Sequence, residues 1–208
     1  MKHPGEETLL AAASGRLDRP HRLVVETHLE LCPACRRGVA ELATPGGWLL
    51  RGLPDEAPSP GLWGRLERQL AVPPPVDRLA PEIPLPEAIG RELPLGERPR
   101  WHSLSLNGGR MAQLARDVAS GAWLCLGFMP GGRRFPRHEH LGYEHAVVLS
   151  GGYEDERGEF VAGDYAVYEP GSAHGPDTLD GDPCWILFRL EGTVRFAGWR
   201  GQLQRLLT

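Results

Sequence analysis

Two groups of residues in this sequence have the types and spacing that hold metal ions. His28 and Cys32 stand four positions apart in a helical pattern, therefore on one face, and Cys35 follows at the head of the next helical run. Two thiolates and an imidazole suit tetrahedral Zn²⁺, and a structural zinc site takes a fourth protein ligand. His3 and His21 are the candidates. His21 lies two helical turns before His28, about 10 Å along the axis, whereas His3 sits on a terminus that can fold back, so His3 is preferred. The rival reading is a redox C-x-x-C pair, or two packing residues, beside a solvated histidine.

The second group begins with His138 and His140, on alternate positions of a strand pattern and so on one face, with the Glu144 carboxylate four residues on. His174 ends a strand and turn that start at Gly163-Asp164, and it completes a set of three histidines and one carboxylate. Such a set binds Zn²⁺, Fe²⁺, Mn²⁺, Ni²⁺ or Cu²⁺, and ligand identity does not choose among them. The rival reading is surface histidines on a metal-free barrel. His102 and His145 have no matching role; His145, on the strand face opposite Glu144, reads as solvated or as support for its ligand neighbour. Cys125 and Cys184 lie in apolar strand runs and read as small buried hydrophobes rather than redox thiols.

The elements that must position these residues divide the chain in two. Apolar residues at spacings of three and four predict helices over 8–17, 21–31 and 33–43, with Pro20 and Pro33 in first-turn positions and Gly46-Gly47 ending the third. A fourth helix, 60–70, places Leu62, Trp63, Leu66 and Leu70 on one side and stands alone between proline-rich flanks. Its apolar side suits a partner, or packing on the protein's own core. Eight prolines in the stretch 73–99 predict an extended linker. Beyond Trp101, short alternating or apolar runs punctuated by glycine predict a sandwich or barrel. The expected architecture is therefore α+β: a helical domain over 1–72, the linker, and an all-β domain over 100–208.

Composition narrows the function. The chain has 208 residues, 41% hydrophobic and 24% charged, as ordinary globular domains do, with a formal charge of −4 and no long run of like charges, which argues against a nucleic-acid-binding surface. An acidic pair, Glu6-Glu7, falls where a signal peptide needs its apolar core, and no stretch approaches 18 apolar residues, so a cytoplasmic protein is expected, with no membrane contact. In a reducing compartment, four cysteines are metal ligands, redox thiols or buried hydrophobes before they are disulfides.

On these residues the sequence resembles two known families joined in one chain. His3 followed by the His28-x3-Cys32-x2-Cys35 pattern resembles the zinc-binding domain of bacterial anti-sigma factors, in which three helices hold the metal and a separate fourth helix helps clasp the sigma factor. Gly132-x5-His138-x-His140-x3-Glu144-x6-Gly151 resembles the first motif of the cupins, jelly-roll barrels with an internal metal. The segment from Gly163 to His174 resembles their second motif, although its proline, Pro170, falls one place late and the closing Asn is replaced by Thr178. In this order the two resemble the ChrR-type anti-sigma factors over nearly the whole chain.

That resemblance implies a non-enzymatic regulator that binds an ECF-type sigma factor through its N-terminal region, with no direct DNA contact. It also implies zinc at His3, His28, Cys32 and Cys35, and zinc or another divalent transition metal in the barrel. The barrel would sense singlet oxygen or a peroxide-type species and release the sigma factor. The alternative is a metal-dependent cupin oxidoreductase, dioxygenase-like, that uses the helices for docking.

Overall fold

The computed structural model describes residues 1–71, 83–84, 86, 101–103 and 108–197. Most of the predicted linker, and residues 104–107 at the start of the predicted strand region, lie outside these residues. Four helices come first: α1 (Glu6–Ala13), α2 (Arg19–Leu31), α3 (Pro33–Arg51) and α4 (Leu62–Leu70). Asp18 caps α2 by accepting the His21 N–H at 2.8 Å, and Pro20 sits in its first turn. Cys32 closes α2 and also caps α3, with Pro33 as the first residue of the new helix.

Two helices, α1 and α3, depart most from expectation. α1 starts earlier and stops at Ala13, because Gly15 takes φ +67° and turns the chain. α3 does not stop at Gly46-Gly47 but runs through Pro45 to Arg51. Proline removes one N–H from the ladder and each glycine costs about 1 kcal/mol relative to alanine, which weakens a helix without forbidding it. The Thr44 hydroxyl bonds back to Ala40 O at 3.1 Å in this stretch.

The remaining strands are β1 (Trp101–Ser103), β2 (Arg110–Arg116), β3 (Trp123–Met129), β4 (His138–His140), β5 (Glu144–Ser150), β6 (Gly152–Asp155), β7 (Gly158–Val161), β8 (Tyr165–Tyr168), β9 (Ala173–His174), β10 (Asp177–Thr178), β11 (Cys184–Leu190) and β12 (Val194–Phe196). They form a six-stranded sheet ordered β1-β2-β3-β11-β5-β8 and two three-stranded sheets, β10-β6-β7 and β12-β4-β9, antiparallel throughout.

Alternation along the large sheet builds two cores. Inward residues Cys125, Ala146, Val148, Ala166, Tyr168, Cys184 and Phe188 pack with Tyr153 and Phe160 inside the barrel. Outward residues Leu124, Leu126, Val147, Leu149, Tyr165, Trp185 and Leu187 pack against Leu23, Val24 and Val25 of α2. Those three α2 side chains are wholly buried, each stabilising the contact by about 1.5–3 kcal/mol. A helix thus covers the outer face of the barrel sheet, and the antiparallel sheet is buried on both faces.

Polar ties reinforce this seam. Arg189 of β11 donates to both Asp18 carboxylate oxygens, with Nε at 2.9 Å from Oδ2 and 3.1 Å from Oδ1, and also to Glu191. The rings of His21 and His145 lie 4.0 Å apart, and the Tyr165 hydroxyl stands 3.2 Å from a nitrogen of each. His145 is therefore packed between barrel and helix, contrary to its reading as solvated or as a ligand's support.

Candidate metal centres

The first cluster lies where the N-terminus, the end of α2 and the start of α3 meet. His3, His28, Cys32 and Cys35 each offer a ligand atom, all within 4.8 Å of one another. His3 Nδ1 lies 3.5 Å from Cys32 Sγ and 3.3 Å from Cys35 Sγ. Tetrahedral zinc with its usual bond lengths separates sulfur from nitrogen by about 3.5 Å, so the spacing fits that ion. His21 faces the barrel instead, which leaves His3 as the histidine brought to this cluster.

The electrostatics suit a cation as well. Both sulfurs sit at the N-terminus of α3, and the Cys35 N–H points to Cys32 Sγ at 3.5 Å. Burial, then the neighbouring Cys32, pushes the Cys35 thiol up to about 11, so a bound cation is what would ionise it at neutral pH. His28 is wholly buried, and burial lowers its pKa, keeping the imidazole neutral. Its Nδ1 donates to Gly163 O at 2.8 Å, which leaves Nε2 as a bare lone pair that meets no protein donor.

The barrel holds this cluster in place. Lys2 N–H donates to Asp164 Oδ1 at 2.6 Å, and Tyr165 N–H donates to Lys2 O at 3.0 Å, so the residue before His3 runs alongside the start of β8. Gly163 takes φ +91° there, and an added Cβ would meet Met1 Cε at 2.7 Å.

The second cluster stands inside the barrel, on β4 and β9. His138, His140 and His174 bring their nitrogens within 4.8 Å of one another, and all three are buried. His138 Nδ1 donates to Pro136 O and His174 Nδ1 donates to Asp155 Oδ2, both at 2.9 Å. Their Nε2 lone pairs then face each other across 3.1 Å, a repulsive arrangement that a shared cation would resolve. Neither nitrogen of His140 has a hydrogen-bond partner, although its ring stacks on Tyr168 at 5.1 Å. Burial holds His138 down at about 4 and His140 at about 3, so all are neutral donors at pH 7.

Glu144 stands beside the three histidines. Its Oε2 is 3.8 Å from His140 Nδ1, beyond a hydrogen bond, and burial pushes its carboxyl up to about 8. Sequence reading missed Asp155, which holds the His174 tautomer while accepting the Tyr168 hydroxyl at 2.6 Å; Tyr153 in turn donates to Tyr168 at 2.9 Å. Cys125 and Cys184 are both buried in the barrel, and burial pushes both thiols up to about 12, which leaves them inert as nucleophiles.

The apolar side of α4 covers nothing among the described residues. Trp63 is 70% exposed and Leu70 81%, Leu66 is also exposed, and Leu62 is half-buried. The unexpected last turns of α3 expose Trp48, Leu49 and Leu50 as well.

Fold and clusters define a class of protein: a helical segment with a Cys2His2 cluster, docked on the outside of a cupin-type barrel with its own histidine cluster. Residues 97–193 match the ChrR cupin-like domain family. The anti-sigma-E factor ChrR of Cereibacter sphaeroides is 34% identical over 93% of this chain and 91% of its own length. The crystal structure of Rhodobacter sphaeroides SigE in complex with the anti-sigma ChrR matches 92% of this chain and 99% of that one, with 33% identity and a TM-score of 0.69. The chain belongs to the ChrR family.

Proposed function

We propose that this protein is an anti-sigma factor that binds an ECF-type sigma factor through residues 1–72 and hides the surfaces with which sigma engages RNA polymerase. The observation that carries this reading is the pair of exposed apolar rows on α3 and α4 in a chain that matches ChrR over 93% of its length. Leu62, Trp63, Leu66 and Leu70 are the anchors of the clasp. A nanomolar complex needs about −12 kcal/mol, which a few buried aromatic and aliphatic anchors supply.

Zinc at His3, His28, Cys32 and Cys35 shapes the clasp; structural zinc contributes on the order of 10–16 kcal/mol to small folds of this kind. The barrel triad holds zinc or another divalent transition metal, with Glu144 as the nearby carboxylate, and senses singlet oxygen or a peroxide-type species in the cytoplasm. The signal then shifts the equilibrium toward release. No helix among the described residues is long and apolar enough to cross a membrane, which suits a partner in the same compartment.

The histidine triad also suits an oxidoreductase. The two readings separate in one experiment: the purified chain is mixed with its ECF-type sigma factor and the mass of the complex is measured by light scattering, while oxygen uptake is followed with and without organic substrates. A one-to-one complex without oxygen uptake is expected. No complex, together with substrate-dependent oxygen uptake, contradicts the proposal.

A further inference from the structure

The barrel surrounds a partly open cavity of about 460 Å³ that reaches His138 and His174. Its volume is about three times that of the ~150 Å³ apolar cavity that takes up benzene. One wall is the inner face of the large sheet, with Met111, Trp123, Ile186 and Phe188; Phe135 and Phe196 line it as well.

Polar groups in this lining are few, and most are already engaged. The Tyr153 hydroxyl is bonded to Tyr168, and the Thr178 hydroxyl donates to Pro130 O at 2.7 Å. Apart from the histidines, the acidic or basic side chains among the described lining residues are Arg110 and Glu144, and burial keeps Glu144 largely protonated at neutral pH. Arg110 pairs with Phe128 across β2 and β3, and its guanidinium lies 4.4 Å from the Phe128 ring and 4.8 Å from the Trp101 ring, both of which pack on the outer core. Its charge is therefore turned away from the barrel interior. What remains is one polar pole, the facing Nε2 atoms of His138 and His174 with the Glu144 carboxyl beside the same histidine cluster, at one end of an apolar chamber.

We propose that this cavity binds a small, predominantly apolar organic molecule carrying a single oxygen head group, with the head at the His138–His174 pole and the body among the aromatic side chains. Sugars, phosphates and compounds with a second charge are disfavoured, because among the described lining residues the polar side chains away from that pole are the outward-turned Arg110, the engaged Tyr153 and Thr178 hydroxyls and the exposed Gln113 and Thr193, too few to replace water along the body. The head-group assignment rests on the metal reading above; the apolar body does not.

The test uses the full-length, zinc-loaded chain and three probes in calorimetry: 1-naphthoate, naphthalene-1,4-dicarboxylate and gluconate. One naphthoate per chain is expected, with the dicarboxylate at least tenfold weaker and gluconate not bound. Gln113→Lys places a cation at an exposed position of the lining, and it should improve dicarboxylate binding at least tenfold. Equal binding of the dicarboxylate to the unaltered chain, or no gain in the variant, overturns the inference. Total transition-metal content separates the two failures. Two divalent metal ions per chain with no naphthoate binding overturn this inference alone; a single metal ion per chain, with the barrel empty of any transition metal, overturns the metal reading and the head-group assignment with it.

Discussion

His28 donates its Nδ1 proton to the main-chain oxygen of Gly163 at 2.8 Å, and so a turn of the barrel decides which imidazole nitrogen faces the two thiols of the helical segment. That turn leads directly into β8. Tyr165 at its start lies against His28 and His21, while Tyr168 at its end stacks on His140 and donates to Asp155, the partner of His174. One strand of four residues therefore touches both clusters.

Gly163→Ala tests that relationship. Its φ of +91° disfavours any side chain, and the new Cβ would press on Met1. A loss of about 1–3 kcal/mol in stability is expected, with weaker zinc retention by the Cys32 and Cys35 cluster in a chelator competition. Unchanged zinc retention would mean that the barrel turn does not position His28.

Asp155→Asn keeps the size of the side chain but replaces the carboxylate that His174 Nδ1 bonds. Metal affinity of the barrel cluster should fall about 10–100-fold, while the zinc bound near Cys32 stays. Metal analysis after graded dialysis reads both sites in the same sample.

The Asp18–Arg189 pair ties α2 to the barrel with side-chain exposures of only 15% and 7%. Removing one partner of such a pair costs about 3–5 kcal/mol. Asp18→Asn preserves the helix cap and leaves Arg189 its bond to Glu191, so it belongs at the low end; Arg189→Met strands Asp18 and belongs at the high end. Urea denaturation measures both, and the double variant should recover part of the loss.

His21 gives the α2 seam a pH dependence. Burial holds its folded pKa at about 4, below the ordinary 6.5. The unfolded chain then binds the extra proton between those values, so stability is full above pH 6.5 and falls as pH drops toward 4. His21→Phe should flatten that part of the urea-denaturation profile; an unaltered slope would place the proton uptake elsewhere.

Much of this was legible in the sequence, and the rest was not for physical reasons. His28, Cys32 and Cys35 belong to local helix patterns, and His138 and His140 share a strand face, so periodicity alone groups them. Asp18 and Arg189 are 171 positions apart, and no local pattern marks such a pair. The same holds for His21 with His145, and for Asp155 with His174. Glu144 is a local case as well: motif spacing places it near the histidines, and its carboxyl stands 3.8 Å from His140 Nδ1. α3 overran its glycines because those residues weaken a helix without ending it.

The account depends most on a metal-shaped docking surface. The direct measurement is the affinity of the full chain for its ECF-type sigma factor, compared with that of the Cys32→Ser, Cys35→Ser double variant, with zinc counted in both. The account predicts that the variant holds about one zinc fewer, keeps the β-rich circular dichroism of the barrel, and loses sigma binding by more than 100-fold. Undiminished sigma binding by a variant that has lost that zinc would contradict it.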